Sequence, residues 1–242
     1  MPYELYYWPT IPGRGEFVRL ALEEAGVDYL DVAQDPGGPG TAVKKMQAVL
    51  GDKSLSTPPF APPVLKAGEL MIAQVANILF YIGAHHGLAP EDEAGRLWVH
   101  QLQLTIADWV VEIHDTHHPL GPSLYYAEQK TEAKRRTADF LAARLPKYLG
   151  YFERVLERNP EGGEYLVGHT RTYADLSLFL VVTGLRYAFP KSMKQLEPDY
   201  PLVAGLATRV AGRPRIAAYL SSPRHQSFNE DGLFRHYPEL DG

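Results

Sequence analysis

The 242-residue sequence contains no cysteine. The chain therefore cannot form disulfides, bind zinc through sulfur or react by mixed-disulfide exchange, and any thiol chemistry must use a thiol on the substrate. An excess of positive charge is also lacking, because 24 Lys and Arg residues stand against 29 Asp and Glu residues, for a net charge of −5. This balance gives no electrostatic basis for binding nucleic acid or an anionic membrane.

Long apolar runs are lacking as well. No segment approaches the length of a membrane span, and the amino terminus does not show the basic and then apolar pattern of a signal peptide. We therefore expect a cytoplasmic protein. With 242 residues, 45% of them hydrophobic, the chain is long enough for one large or two modest domains with substantial cores.

Two strand-to-helix junctions occupy the first third of the chain. In YYWPTIPGRGEFVRLALEEAG, at 6–26, the run from Leu5 to Trp8 predicts a buried strand that ends in a proline- and glycine-rich turn. A helix follows, with apolar residues at helical spacing and Gly26 as its C-cap. The N-terminus of this helix faces the end of the strand that carries Tyr7, which is a favourable position for an anion.

Neither glycine-rich segment of this region fits a nucleotide-binding motif. Gly13-Arg14-Gly15 could open a dinucleotide fingerprint, but the third glycine would fall at Val18, and no βαβα alternation follows. The segment GGPGTAVKK at 37–45 does not match the phosphate-binding pattern GxxxxGK[ST]. The sequence therefore does not support a nucleotide site.

The second junction, APPVLKAGELMIAQVANILFYIG at 61–83, predicts a hairpin and then a helix. Strands at 64–65 and 70–72 flank a turn at 66–69, and Gln74 opens a helix with an apolar face. The Pro62-Pro63 pair before the first strand cannot be helical, and a proline here is a candidate for a cis peptide bond.

The second half of the chain has helical periodicity. HHGLAPEDEAG at 85–95 is polar and rich in Gly, Pro and acidic residues, which is typical of a linker. Apolar residues then recur at helical spacing over 102–113 and over 141–156. Thr172 precedes Asp175 at the start of a third apolar run, the spacing of a capping box. This half is therefore predicted to be a helical bundle.

The two junctions, the run LVGHTRTYAD and the segment YPLVAGLATRVAGRPRIAAYL at 200–220 resemble the glutathione transferase family, and the resemblance spans nearly the whole chain. It implies an α/β thioredoxin-like N-terminal domain at 1–86, a linker at 87–95 and an all-α helical-bundle domain at 96–242. Because the chain lacks cysteine, it resembles the cytosolic tyrosine-type classes, such as alpha, mu, pi and sigma, which activate glutathione with a hydroxyl.

The resemblance implies that Tyr7 is the catalytic tyrosine, since it is followed by an aromatic residue and Pro9. Tyr6 is the alternative, and strand alternation sends the two side chains to opposite faces. Arg14 matches the family arginine that follows the tyrosine, with one extra residue between them. We expect its guanidinium to lie near the thiolate or near a glutathione carboxylate.

The family also implies a glutathione site at the second junction. Spacing to Gln74 favours Pro63 as the cis-proline, and Gln74 would bind the γ-glutamyl group. Two positions depart from the family. Pro62 lacks the backbone N–H that pairs with glutathione, and Val75 replaces a hydroxyl residue, so we expect weaker glutathione affinity. Lys44 or Lys45 could meet the glycyl carboxylate.

By the same resemblance, the hydrophobic-substrate pocket would lie near the end of the first bundle helix. The residues expected there are Trp109, Ile113, His114, His118 and Tyr125. His114, His117 and His118 also have the spacing of a metal site, but no carboxylate or thiol set completes it, and we predict no metal. In family dimers an acidic residue of the partner completes the glutamyl site, for which Asp108 and Glu112 are the candidates.

The sequence thus predicts a homodimeric glutathione transferase that conjugates the glutathione thiolate to electrophilic hydrophobic small molecules. Glutathione is a co-substrate, and no cofactor is expected. Two alternatives stay open. One is a non-catalytic ligand-binding or regulatory member of the fold, and the other is a glutathione-dependent isomerase or peroxidase.

Overall fold

A small mixed sheet with helices on both faces forms the first part of the chain. The computed structural model describes residues 2–242. Its sheet has the strand order β2-β1-β3-β4, in which β1 runs parallel to β2 and antiparallel to β3, and β3 and β4 form an antiparallel hairpin. The strands are β1 (Tyr3–Tyr6), β2 (Tyr29–Asp31), β3 (Val64–Ala67) and β4 (Leu70–Ala73).

Alternation along the central strands places a helical layer on each face of this sheet. The helices are α1 (Gly15–Ala25), α2 (Pro39–Leu50) and α3 (Val75–His85). Leu5 and Leu65 belong to the large core that includes α1 and α3, whereas Tyr6 and Val64 pack with Met46 of α2 on the opposite face. The sheet therefore separates a small core from the main core of the molecule.

The remainder of the chain is helical and shares the main core with α1 and α3. Its helices are α4 (Glu93–Asp115), α5 (Lys130–Asp139), α6 (Leu145–Glu157), α7 (Tyr173–Ala188), α8 (Pro190–Leu196), α9 (Pro201–Ala211) and α10 (Pro214–Leu220). The nearly all-apolar α7 lies at the centre, and thirteen of its sixteen residues are buried. The fold is therefore an α/β domain packed against a helical bundle, as the sequence predicts.

The predicted strand at Leu5–Trp8 is displaced in the structure. β1 ends at Tyr6, so Tyr7 and Trp8 lie in the turn that precedes Pro9. The predicted hairpin is confirmed, and the peptide bond between Pro62 and Pro63 is cis. Tyr7 thus projects from the chain as it leaves the sheet.

Two helices begin at other residues than predicted, and one further helix, α5, was not predicted. α4 begins at Glu93, inside the predicted linker, because the Asp92 side chain caps it by accepting a hydrogen bond from the Gly95 N–H at 2.8 Å. α5 is missing from the predicted elements, and the predicted helix over 141–156 begins regularly only at Leu145. The wide turns over Phe140–Arg144 join α5 to α6, where Pro146 cannot donate to a regular helical ladder.

The predicted cap of α7 is present. The Asp175 carboxylate accepts hydrogen bonds from the N–H of Thr172 at 2.6 Å and from the Thr172 hydroxyl at 2.8 Å. The same carboxylate accepts the N–H of Leu166 at 2.8 Å. One buried side chain therefore caps α7 and ties the preceding loop to it.

Candidate active site

The hydroxyl of Tyr7 is fixed by the turn that leads into α1. It accepts a hydrogen bond from the Arg14 N–H at 2.8 Å, and the ring is 6% exposed. Burial raises the pKa of Tyr7, and the backbone contact and the charges of Arg14 and Arg19 oppose this only in part. Tyr7 is therefore a neutral phenol whose own proton is available to a nearby anion.

Tyr6 faces the other side of the sheet. Its hydroxyl donates to Glu4 Oε2 at 2.5 Å, and its ring packs in the small core against Met46 and Val64. Glu4 and Tyr6 are two positions apart on β1 and so share a face. The structure therefore places Tyr6 in the small core, on the opposite face of the sheet from α1 and α3.

A cavity of about 510 Å³ opens beside the start of α1. The expected site residues Arg14, Pro62, Pro63, Gln74 and Val75 all line it. The structure thus brings together the turn after Tyr7, the cis-proline and the start of α3. The opposite wall is α4, which sequence analysis did not assign to this cavity.

Two buried polar groups of α4 line the cavity and were missed in the sequence. Gln103 is 1% exposed, and neither its Oε1 atom nor the Nδ1 atom of His100 has a hydrogen-bond partner within residues 2–242. Buried polar atoms are nearly always paired, so these two mark a place for a polar ligand. His100, Gln103, Leu104, Ala107 and Val111 lie on one helical face, a spacing that could have identified the wall.

Gln74 has a backbone conformation that is uncommon for a residue with a side chain. Its φ angle is 69°, in the left-handed region, directly before α3. Such strain is typically found where the surrounding structure holds a functional residue in place. The first N–H groups of α3, which begin at Val75, point out of the helix end and provide an anion-binding position on the cavity wall.

The lysines of α2 do not reach this cavity. The wall built from the described residues includes neither Lys44 nor Lys45. Both side chains are exposed, and Lys45 pairs with Asp35. The expected contact of Lys44 or Lys45 with a glycyl carboxylate therefore has no support in the arrangement of α2.

The expected hydrophobic pocket at the end of α4 is only partly present. Trp109 is fully buried and stacks on Tyr148 at 4.9 Å and on Phe152 at 5.9 Å between ring centroids. Ile113 is 1% exposed, and Tyr125 is 81% exposed. Trp109 and Ile113 therefore belong to the main core, where Trp109 packs against α6, and Tyr125 projects into solvent.

His114, His117 and His118 form a cluster with ring centroids 4.8–5.2 Å apart. His117 Nε2 lies 3.0 Å from the Leu233 carbonyl, so it carries the proton, and its Nδ1 atom accepts from His118 Nδ1 at 2.5 Å. Burial lowers the pKa of His117 to about 2 and that of His118 to about 4. The cluster is therefore neutral and anchors the C-terminal segment.

The two acidic candidates of α4 differ in their surroundings. Glu112 accepts hydrogen bonds from Arg144 Nη2 at 2.6 Å and from the Tyr148 hydroxyl at 2.8 Å, and it also pairs with Arg136. The hydrogen bond from Arg144 is the largest contribution that lowers the pKa of Glu112 to about 2. Glu112 is thus bound within its own bundle, whereas Asp108 is exposed.

Within residues 2–242, no group of three or more His, Cys, Asp or Glu side chains is placed to hold a metal ion. No helix in the same range combines the length and apolar character needed to cross a membrane.

Comparison with known proteins gives similarity at the levels of domain, sequence and fold. Residues 114–223 match the family described as glutathione S-transferase, C-terminal domain. The chain is 26% identical over 229 residues to a Plasmodium falciparum glutathione S-transferase, covering 93% of this chain and 97% of the relative. It is 28% identical over 225 residues to glutathione S-transferase P 1 of Xenopus laevis, covering 91% and 92%.

Similarity in three dimensions covers the same extent. The structure of a pi-class glutathione S-transferase of Onchocerca volvulus superposes with a TM-score of 0.69 at 20% identity, over 90% of this chain and 92% of that chain. At this identity the match concerns the fold. Sequence and fold similarity therefore extend over both the sheet domain and the helical bundle.

Proposed function

The chain belongs to the glutathione S-transferase family, and we propose that Tyr7 activates the thiol of glutathione for transfer to electrophilic hydrophobic small molecules. The observation that carries this proposal is the Tyr7 hydroxyl, which is buried and fixed by the Arg14 N–H. Because the Arg14 N–H occupies a lone pair of this oxygen, the phenol proton remains free to point at sulfur.

A neutral phenol suits this task because only the thiolate of glutathione is an effective nucleophile. Lowering the thiol pKa from about 8.5 by about two units requires about 2.7 kcal/mol of selective thiolate stabilisation. A hydrogen bond from the buried Tyr7 hydroxyl to sulfur is stronger than the same bond in water. The guanidinium of Arg14, on the cavity wall, adds positive charge near the same anion.

We assign the cavity beside α1 to the peptide part of glutathione. The start of α3 offers N–H groups to a carboxylate, and Gln74 lies at that helix end. The Oε1 atom of Gln103 is buried and has no hydrogen-bond partner within residues 2–242. It would accept a hydrogen bond from the γ-glutamyl ammonium group. Pro62 offers only its carbonyl to the cysteinyl amide, which omits a hydrogen bond worth about 1 kcal/mol.

A second copy of the chain would complete this site. Leu97, Leu104 and Val111 are seven residues apart on α4, and they are 60%, 48% and 50% exposed. An apolar stripe of this length on a bundle helix favours association with another surface. In a symmetric dimer that buries the stripe, the exposed Asp108 could reach the partner's glutamyl site.

The acceptor substrate would lie on the other side of Tyr7. His114 and His118, at the end of α4, and the C-terminal segment form this region, since Asn229 Nδ2 donates to the Thr10 carbonyl at 2.9 Å. The neutral histidines can donate and accept hydrogen bonds there. An acceptor site in this region would therefore be more polar than the expected set of Trp109 and Ile113 implied.

The test is conjugation kinetics with 1-chloro-2,4-dinitrobenzene in the wild type and in Tyr7→Phe. A two-unit rise in thiol pKa lowers the thiolate fraction at pH 7 about 25-fold, and we expect a fall in kcat/KM of at least this size. Tyr6→Phe is the matched control and should retain activity. Equal activity in Tyr7→Phe and the wild type would overturn the assignment of Tyr7.

Pro62 and Val75 keep one alternative open, a member of the fold that binds ligands without turnover. Calorimetric titration with reduced glutathione separates the two, because a transferase must bind it with a dissociation constant in the millimolar range or below, at roughly −4 kcal/mol or better. Mass analysis of the products distinguishes conjugation from isomerisation, which regenerates glutathione, and from peroxidase chemistry, which oxidises it.

A further inference from the structure

A second cavity, of about 300 Å³, lies between α1, α7 and the C-terminal segment, away from the glutathione cavity. Most of its wall is apolar and includes Leu20, Phe179, Leu220 and Phe228. Its volume is at the lower end of the range for small-molecule sites. The shape and lining suit a compact apolar ligand.

One acidic side chain on this wall lacks a hydrogen-bond partner for one of its oxygens among the described residues. Glu16 is 1% exposed, and its Oε1 atom has no hydrogen-bond partner among the described residues. Its nearest basic neighbour on the same wall is His225, whose Nε2 atom lies 3.9 Å from Oε1, beyond hydrogen-bonding distance. A buried carboxylate oxygen without a donor is costly, and a ligand donor would remove that cost.

The charge around Glu16 is also unbalanced. The fully buried Arg19 is shared by two carboxylates, since its Nη1 atom lies 3.3 Å from Glu16 Oε2 and its Nε atom lies 2.7 Å from Asp31 Oδ2. Tyr219 donates to Glu16 Oε2 at 3.0 Å but adds no charge. With both carboxylates ionised, one guanidinium leaves a net charge of −1 beside the cavity.

The surroundings of Glu16 support a role for an incoming cation. Burial raises the pKa of Glu16, and the charge of Arg19 offsets this only in part. Burial and the charge of Arg19 both lower the pKa of His225, so this imidazole is neutral at neutral pH. His225 therefore does not supply the second positive charge that the carboxylates of Glu16 and Asp31 would need.

We propose that this cavity is a binding site for small apolar amines, in which the ligand ammonium donates to Glu16 Oε1 and the apolar body packs against Leu20, Phe179 and Phe228. The site is separate from the glutathione cavity and does not depend on the proposed catalytic activity. Its occupancy would supply the missing positive charge to the ion network of Glu16, Arg19 and Asp31.

The proposal is tested by calorimetric titration with 2-phenylethylamine, 2-phenylethanol and 3-phenylpropionate, which share a ring but differ in charge. Saturating reduced glutathione is present throughout, and the titrations are repeated without it. An ionic hydrogen bond worth at least about 1.4 kcal/mol predicts that the amine binds at least about tenfold more tightly than the alcohol. The carboxylate should bind weakest, and glutathione should not change these affinities.

Two variants distinguish the contribution of the Glu16 charge to binding from the contribution of the cavity's shape. Glu16→Gln removes the charge with little change in volume and should bring the amine to the affinity of the alcohol. Leu220→Phe narrows the cavity without changing the ion network and should weaken the binding of both the amine and the alcohol. If Glu16→Gln does not fold, Leu220→Phe alone tests the proposal. Equal affinity for amine and alcohol in the wild type, no binding of either, or unchanged binding in Leu220→Phe would each overturn the proposal.

Discussion

The ring of Tyr7 lies against two glycines that leave no space for a side chain. A Cβ atom at Gly13 would lie 2.3 Å from the Tyr7 hydroxyl oxygen, and one at Gly15 would lie 2.7 Å from the Tyr7 Cγ and Cδ1 atoms. Gly13 also has a φ angle of 46°, which disfavours other residues. The two glycines therefore set the position of the hydroxyl as directly as the Arg14 N–H does.

We expect Gly15→Ala to reduce conjugation about as strongly as loss of the tyrosine hydroxyl. The added methyl group meets the base of the ring, which cannot swing away without displacing the turn. Gly40→Ala is the matched control, because its Cβ would meet no heavy atom of residues 2–242 within 4 Å. Wild-type turnover in Gly15→Ala would show that the position of the ring is not critical.

Glu112 gives a prediction about stability and pH. Its pKa is lowered to about 2 in the folded chain, so its stabilising contribution is complete above the unfolded value of about 4.3 and is lost as pH falls toward about 2. Glu112→Gln should lower the free energy of unfolding at pH 7 by about 2 kcal/mol. Denaturant titrations should show this difference shrinking between pH 4 and pH 2, whereas the exposed Asp108→Asn should leave stability unchanged.

At the scale of elements, the cap of α7 helps to hold the loop before this helix against the core. We expect Asp175→Ala to cost about 3 kcal/mol or more, because it leaves the buried N–H groups of Leu166 and Thr172 unpaired. Thr172→Ser keeps the hydroxyl and should change the free energy of unfolding very little. Thermal unfolding of both variants checks this, and an equal loss in the two would contradict the role of the carboxylate.

Elements with a local signal could be predicted from the sequence. The hairpin of β3 and β4 follows from alternation around Gly68, the end of α1 from Gly26, and the start of α7 from the spacing of Thr172 and Asp175. Each depends on residues close together in the chain. The end of β1 was misplaced because the aromatic run continues past the last paired residue, Tyr6.

The parts of the site that escaped prediction depend on tertiary packing. The amphipathic pattern of α4 shows that one face is buried, but only the structure shows that His100 and Gln103 meet the cavity while Trp109 enters the core. Glu112 illustrates the same limit, since its partners Arg136 and Arg144 lie on other segments. Sequence spacing fixes the faces of a helix but does not identify what each face contacts.

At the scale of the whole molecule, we expect the exposed stripe of α4 to mediate dimerisation. Leu97→Glu should shift the protein to monomers in sedimentation velocity, because it places a charge in an apolar contact, and Leu97 lies outside the cavity wall built from the described residues. The loss of the partner's contribution should also raise the KM for glutathione. Leu30→Glu is the control, since Leu30 is also exposed, at 48%, but lies on the edge strand β2. If the wild-type protein is a monomer in solution, Asp108 cannot reach the glutamyl site of a partner.

The assigned role of Tyr7 is to lower the pKa of the glutathione thiol, and the most direct measurement follows the ultraviolet absorbance of the bound thiolate as a function of pH. We expect an apparent pKa about two units below the ordinary value of about 8.5 in the wild type, and a return toward that value in Tyr7→Phe. The same titration in Tyr6→Phe should match the wild type. An equally lowered pKa in Tyr7→Phe would contradict the account.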